Sequence, residues 1–160
     1  TSSSPRRIRC HVEFAVSRHD EAHSMKILII EDERDVGVYM ANLLRALGFQ
    51  PIQAEGAEDG LAKFRAEHPS LVILDAMLPG DEAHHIYFQL KTNPDLAGIP
   101  VVLISSIGRP AMGRFHLWPT GRHLPEPEAF LDKPPEAEDV IDALTRLIGR
   151  IPSQEKEGTV

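Results

Sequence analysis

The stretch "KILIIEDERD", Lys26 to Asp35, runs four consecutive apolar residues, Ile27 to Ile30, straight into Glu31, Asp32 and Glu33. An apolar run of strand length that does not alternate marks a strand covered on both faces, as in a parallel sheet. Acids packed at the end of such a strand repel one another and lose hydration. They need a compensating cation or a solvent-facing cleft. One short run therefore raises the fold and the site together.

Two further runs share the pattern. "LVIL" (Leu71–Leu74) and "VVLI" (Val101–Ile104) are also continuous rather than alternating. A weaker "FQPIQA" (Phe49–Ala54) contains Pro51, which has no N–H for a central ladder, and so is expected toward an edge. "AFLD" (Ala129–Asp132) is the candidate fifth strand. Helical patterns lie between them. Val36, Met40, Leu43, Leu44 and Leu47 recur at helical spacing and Gly48 supplies the stop. Leu61 and Phe64 share a face of a shorter helix beginning near Ala57, and Ile86, Phe88 and Leu90 belong to a third. Val140, Ile141, Leu144, Leu147 and Ile148 form the last helix, with Glu136, Glu138 and Asp139 near its start, where the helix dipole favours acids. Strand and helix alternate, which predicts a doubly wound five-stranded parallel α/β sheet.

The rest of the chain sets bounds. With 160 residues it suits one domain, and 42% hydrophobic with 26% charged residues is an ordinary globular composition. The net charge of −7 argues against a DNA footprint, which wants basic stripes. No apolar run approaches a membrane span. Cys10 is the only cysteine, which suits a reducing, cytoplasmic setting. Residues 1–24 are expected to be a disordered extension ahead of a natural start at Met25, with the domain at 25–150 and a flexible tail at 151–160. The tail leaves no room for an output unit, so a stand-alone domain is expected.

In doubly wound sheets ligands sit beyond the carboxyl ends of the strands. The candidates there are Glu31 and Asp32 after the first strand, Asp75 at the end of the third, Ser105 and Ser106 after the fourth, and Lys133 and Pro134 after the fifth. Three carboxylates are an unstable cluster unless a hard divalent cation such as Mg²⁺ joins them. A carboxylate nucleophile beside Mg²⁺ and a lysine can accept a phosphoryl group as an aspartyl phosphate.

With these residues in hand, positions 25 to about 150 resemble the receiver domain of two-component response regulators, a flavodoxin-like fold. The resemblance is carried by Glu31–Asp32, by Asp75 in "LVILDAMLPG", by Ser105 in "VVLISS" and by Lys133 in "FLDKP". It implies that Asp75 is the phosphoacceptor, and that Asp32, Asp75 and the backbone carbonyl of Met77 bind Mg²⁺, with Glu31 reaching it through water. It further implies that Ser105 and Lys133 contact the phosphoryl group and that Phe130 is the switch aromatic. Because the phosphoryl group is absent at rest, removing Lys133 is expected to leave the fold and Mg²⁺ binding largely intact but to uncouple phosphorylation from structural change. The implied partners are a sensor histidine kinase or histidine phosphotransfer protein and an unknown downstream protein, with neither DNA nor membrane involved. The chain would be no enzyme toward a separate substrate, but a phosphoacceptor that catalyses its own phosphorylation and dephosphorylation. Glu82 and Ala83 depart from the family's Asp-Gly after "LPG".

A receiver's fourth helix should fall in Gly108–Glu128. Gly108, Gly113 and Gly121 stand there with Pro110, Pro119, Pro125 and Pro127. An interior proline costs about 3 kcal/mol in a helix and glycine about 1 kcal/mol, so an irregular segment is expected instead. Its Arg109, Arg114, Arg122, Phe115 and Trp118 make it a candidate docking surface.

Plainer readings stand beside these. Asp75 could cap a helix, Lys133 could be a surface lysine and Phe130 ordinary core. His84 and His85, about 100° apart on a helix with no third ligand, read as surface histidines, as do His116 and His123. A flavodoxin-like flavin or nucleotide binder would need a glycine-rich, donor-rich loop where "EDERD" stands. An Asp-based phosphatase would carry a second Asp where Met77 stands. A degenerate receiver kept for protein contacts would not need every key position filled, and here all are.

Overall fold

The computed structural model describes residues 25–107 and 124–149. Five strands, β1 (Lys26–Ile30), β2 (Gln50–Ala54), β3 (Leu71–Asp75), β4 (Val101–Ser105) and β5 (Ala129–Asp132), form one all-parallel sheet in the order β2-β1-β3-β4-β5. Four helices are described: α1 (Arg34–Ala46), α2 (Ala57–Glu67), α3 (Glu82–Thr92) and α4 (Ala137–Ile148). This is the expected flavodoxin-like receiver fold. Pro51 lies on the edge strand β2, paired in register with Ile27, as a residue without an N–H should.

The continuous apolar runs have the predicted cause. Along each central strand successive side chains go to opposite faces, and both faces are covered. Leu28, Ile30, Val72, Leu74 and Leu103 meet Phe64 of α2 and Ile86, Tyr87 and Leu90 of α3. Ile27, Ile29, Leu71, Ile73, Val102 and Ile104 meet Met40, Ala41 and Leu44 of α1 and Val140, Ala143 and Leu144 of α4. Two apolar layers thus enclose the sheet.

The helix boundaries also have local reasons. The turn after α1 closes with the N–H of Gly48 donating to the Arg45 carbonyl at 3.0 Å. Gly149 closes α4 in a left-handed conformation, φ 83°, and its N–H donates to the Thr145 carbonyl. Gly60 lets α2 lie close on β1, since a Cβ there would stand 2.8 Å from Ile30 Cδ1 and 3.1 Å from Ile30 Cγ1.

Residues 1–24, 108–123 and 150–160 lie outside the described residues, and with them the expected extension, the tail, His116, His123, Trp118 and most of the expected irregular segment. Leu124 to Glu128 are described and carry neither helix nor strand. This stretch is fastened to α3. The Lys91 ammonium meets Glu128 Oε1 at 2.6 Å, and Glu128 Oε2 accepts the Val101 N–H at 2.6 Å. The Tyr87 hydroxyl donates to the Pro125 carbonyl, and the Glu128 N–H donates to the Val101 carbonyl at 3.1 Å. No helix among the described residues is long and apolar enough to cross a membrane.

Candidate functional site

Because every strand runs the same way, all five carboxyl ends reach one rim. Ile30 is level with Leu74, Asp75 with Ile104, and Ser105 with Asp132. Glu31, Asp75, Ser105 and Lys133 therefore stand side by side across four adjacent strands. Two backbone bonds carry the ladder past the strand ends: the Glu31 N–H donates to the Ala54 carbonyl, and the Lys133 N–H to the Ser105 carbonyl, each at 3.0 Å.

One carboxylate oxygen each from Glu31, Asp32 and Asp75 lies within 4.8 Å of the others, the one such acidic group among the described residues. The neighbours Glu31 and Asp32 have opposite fates, Glu31 being buried and Asp32 exposed. Asp75 begins a local turn in which its Oδ1 accepts the Met77 N–H at 2.8 Å. That bond sets the carboxylate's aim, and it replaces the plainer reading of Asp75 as a helix cap, because α3 starts only at Glu82. Met77 follows in this turn and is 48% exposed at the rim.

The Lys133 ammonium sits among these acids. It lies 3.0 Å from Glu31 Oε1, 2.9 Å from Glu31 Oε2, 3.1 Å from Asp75 Oδ2 and 3.0 Å from Glu33 Oε1. Lys133 thus already has partners in the structure without a phosphoryl group, which the expectation that its removal leaves the fold largely intact did not include. Three carboxylates around one pocket hold an ammonium whether or not a phosphoryl group is present. Burial works against that ammonium, but bonds from Glu31, Glu33 and Asp75 outweigh it and hold its pKa above that of an ordinary lysine. Glu31 is pushed up to about 7, chiefly by burial and further by Asp75, against the opposing pull of Lys133 and the Glu33 N–H.

Glu31 Oε2 and Asp75 Oδ2 are buried and accept no hydrogen bond. Both touch the ammonium as charges, yet neither receives a directed N–H. Buried anionic oxygens without donors, beside a third carboxylate open to solvent, are the donor set that a hard, partly hydrated cation such as Mg²⁺ takes. The residues fit that ion.

Ser105 is buried, and its hydroxyl oxygen accepts the Ile107 N–H at 3.2 Å. Phe130, level with Leu103 on β5, is half-buried against the α2–α3 layer. It also borders an open cleft of about 620 Å³ between β5 and α4, lined by Asp132, Asp139, Asp142 and Arg146, which does not include Asp75. His84 is half-buried and held below the usual histidine range by burial, while the exposed His85 ring nitrogen lies 2.8 Å from the Gln89 amide. Among the described residues neither belongs to the acidic group that could hold a metal, and only His85 of the two is exposed.

Two functional partners escaped the sequence reading. Glu33 was present in the opening run, but nothing in a linear sequence pairs it with a lysine 100 positions on. Glu82, noted only as a departure, places its Oε2 on the Ala57 N–H at 3.1 Å and so caps α2.

The sequence model of the response regulator receiver domain family matches residues 27–119, more than half of the chain. That span ends ahead of β5, so the placement of Phe130 and Lys133 rests on the geometry above. The phosphate regulon transcriptional regulatory protein PhoB of Escherichia coli is 32% identical over 83 residues, 52% of this chain and 36% of PhoB. The chain thus spans about a third of the length of the curated relatives it matches. The signal receiver domain of a DNA-binding response regulator from Colwellia psychrerythraea superposes with a TM-score of 0.67 at 21% identity, over 79% of this chain and 99% of that one. The receiver domain of a signal transduction histidine kinase from Syntrophus aciditrophicus does so at 0.65 and 22%, over 85% and 95%. At such identities the two structures speak to the fold alone.

Proposed function

Because the chain belongs to the response regulator receiver domain family, we propose that it is the phosphoacceptor module of a two-component phosphorelay, with Asp75 as the acceptor. The observation that carries this reading is the Lys133 ammonium drawn against Asp75 and Glu31, beside two buried carboxylate oxygens that lack hydrogen bonds.

In the proposed transfer, a carboxylate oxygen of Asp75 attacks the phosphorus of a phosphohistidine or a small acyl phosphate. The new P–O bond forms as the bond to the donor's imidazole nitrogen or acyl oxygen breaks, and the electron pair leaves with the donor. Mg²⁺, held by Asp32, Asp75, the Met77 carbonyl and Glu31, would supply positive charge against the phosphoryl oxygens. Lys133 offers its ammonium to a phosphoryl oxygen, and Ser105 its hydroxyl proton to another. Phe130, half-buried beside Ser105's strand, is the aromatic whose inward turn would follow the serine. The chain then acts as a phosphoacceptor that promotes its own phosphorylation and dephosphorylation, in a cytoplasmic setting. Its donor is a sensor histidine kinase or a histidine phosphotransfer protein, and its output is a docking surface for a downstream protein.

Acetyl phosphate with Mg²⁺, read by intact mass, tests the core of this proposal. One added phosphoryl group is expected, and none with Asp75→Asn. Efficient modification of the Asn variant at another residue would overturn the assignment.

A further inference from the structure

Lys133 is crowded by acids. Its Nζ donates hydrogen bonds to Glu31 Oε1 and Glu33 Oε1, each at 3.0 Å, and lies against Asp75 Oδ2 as a charge at 3.1 Å. The lysine side chain is only 7% exposed, so water has little access to replace a partner. A phosphoryl oxygen arriving on Asp75 competes for the ammonium with the carboxylates already on it, and one of them must give up its share.

Burial decides which one. The side chains of Glu31 and Asp75 are 0% and 1% exposed, and an ionised carboxylate stripped of its cation there is strongly penalised. The Glu33 side chain is 63% exposed, so water rehydrates it when the lysine leaves, and pairs of this kind are weak. The Glu33 backbone need not move, because its N–H is anchored on Glu31 Oε1 at 3.0 Å. Only its side chain must swing away.

We infer that Glu33 is a positioning residue for the phosphoryl transfer: the displaceable counter-ion of Lys133, which occupies one ammonium donor in the resting chain and yields it to the incoming phosphoryl group. This rests on the reading of Asp75 as phosphoacceptor. Glu33 acts as a brake, since it competes with the phosphoryl group for the ammonium. It touches neither the acceptor carboxylate nor the proposed metal ligand set except through Lys133 and its own backbone bond.

The test uses the full chain, acetyl phosphate and Mg²⁺, with phosphorylation followed by intact mass over time. Glu33→Gln should raise the rate roughly two- to fivefold, the factor that one exposed ion pair carries. Asp35→Asn makes the same charge change two residues on, at an exposed position with no ion pair to Lys133, and should leave the rate unchanged. In ¹⁵N-lysine-labelled chain without any phosphodonor, Glu33→Gln should shift the Lys133 Nζ resonance and Asp35→Asn should not. An unchanged rate in Glu33→Gln, an equal gain in Asp35→Asn, or an unmoved Nζ resonance each overturns the inference while the acceptor reading stands. A wild-type chain that takes up no phosphoryl group overturns the acceptor reading and this inference with it.

Discussion

The Glu82 carboxylate accepts the Ala57 N–H at 3.1 Å, so the first residue of α3 caps the start of α2 across a gap of 25 residues. Gly56, at the N-cap position of α2, has no side chain to do this, and a Cβ there would stand 3.2 Å from Glu82 Oε2. A carboxylate at a helix N-terminus satisfies an orphan donor and complements the dipole. Glu82→Ala should therefore cost about 1 kcal/mol, the usual weight of a lost N-cap. Urea unfolding checks this, and Glu82→Gln should retain part of the loss-free stability through its amide oxygen. No change in midpoint for Glu82→Ala would show the cap to be dispensable.

Lys133→Ala removes a cation that contacts both Glu31 and Asp75. Removing one partner from a buried ion pair leaves an uncompensated charge, so a loss of roughly 3 kcal/mol is expected in EDTA at neutral pH or above. Mg²⁺ should then recover more stability in the variant than in wild type, because the ion would supply the missing charge. Equal denaturant midpoints for variant and wild type in EDTA would mean that the three carboxylates tolerate one another without the lysine.

Glu31 ties stability to pH. Its carboxyl is pushed from an ordinary 4.5 up to about 7 in the folded chain, first by burial. The folded state thus favours the protonated acid. The stabilising contribution is complete below the unfolded value and is lost as pH rises through the folded one. Between about 4.5 and about 7 the metal-free chain should lose melting temperature from this group, and Glu31→Gln should flatten that slope. Thermal melts in EDTA across the window measure it; a slope that persists in Glu31→Gln assigns the effect to another residue.

Gly60→Ala sets two effects against each other. Alanine gains about 1 kcal/mol of helix propensity over glycine. The added Cβ, however, would lie 2.8 Å from Ile30 Cδ1 and 3.1 Å from Cγ1, inside a fully covered layer. Overpacking of this kind costs typically 1–3 kcal/mol, so a net loss of about 1 kcal/mol is expected. Ile30→Val removes Cδ1 and should relieve part of that loss in the double variant. A stabilised single variant would mean that Ile30 gives way freely.

The sheet was legible because β1, β3 and β4 are covered on both faces, which leaves a continuous apolar signature with no rival reading at strand length. Pro51 named the edge, and parallel topology then put Asp75 and Lys133 on one rim. The interior of α3 was less legible. Ile86, Phe88 and Leu90 mark a helix without a clean period, whereas the buried apolar face is Ala83, Ile86, Tyr87 and Leu90, at helical spacing. Lys91 is buried too, because Glu128 accompanies it, and a lysine in an apolar layer gives no sign of its partner in a linear string. Nor could the run of acids show that Glu31 turns inward, Asp32 faces solvent and Glu33 reaches across to Lys133. Those choices depend on side chains brought together only by the completed sheet.

The polar fastening of Leu124–Glu128 to α3 has a consequence for how this chain tolerates change. Glu128 is held by Lys91 and Val101, and Pro125 by Tyr87, so the entry to β5 is set by α3 and β4. A substitution in α3 that breaks the Lys91–Glu128 pair should therefore be felt at the far end of β5, where Lys133 follows Asp132 into the acidic pocket.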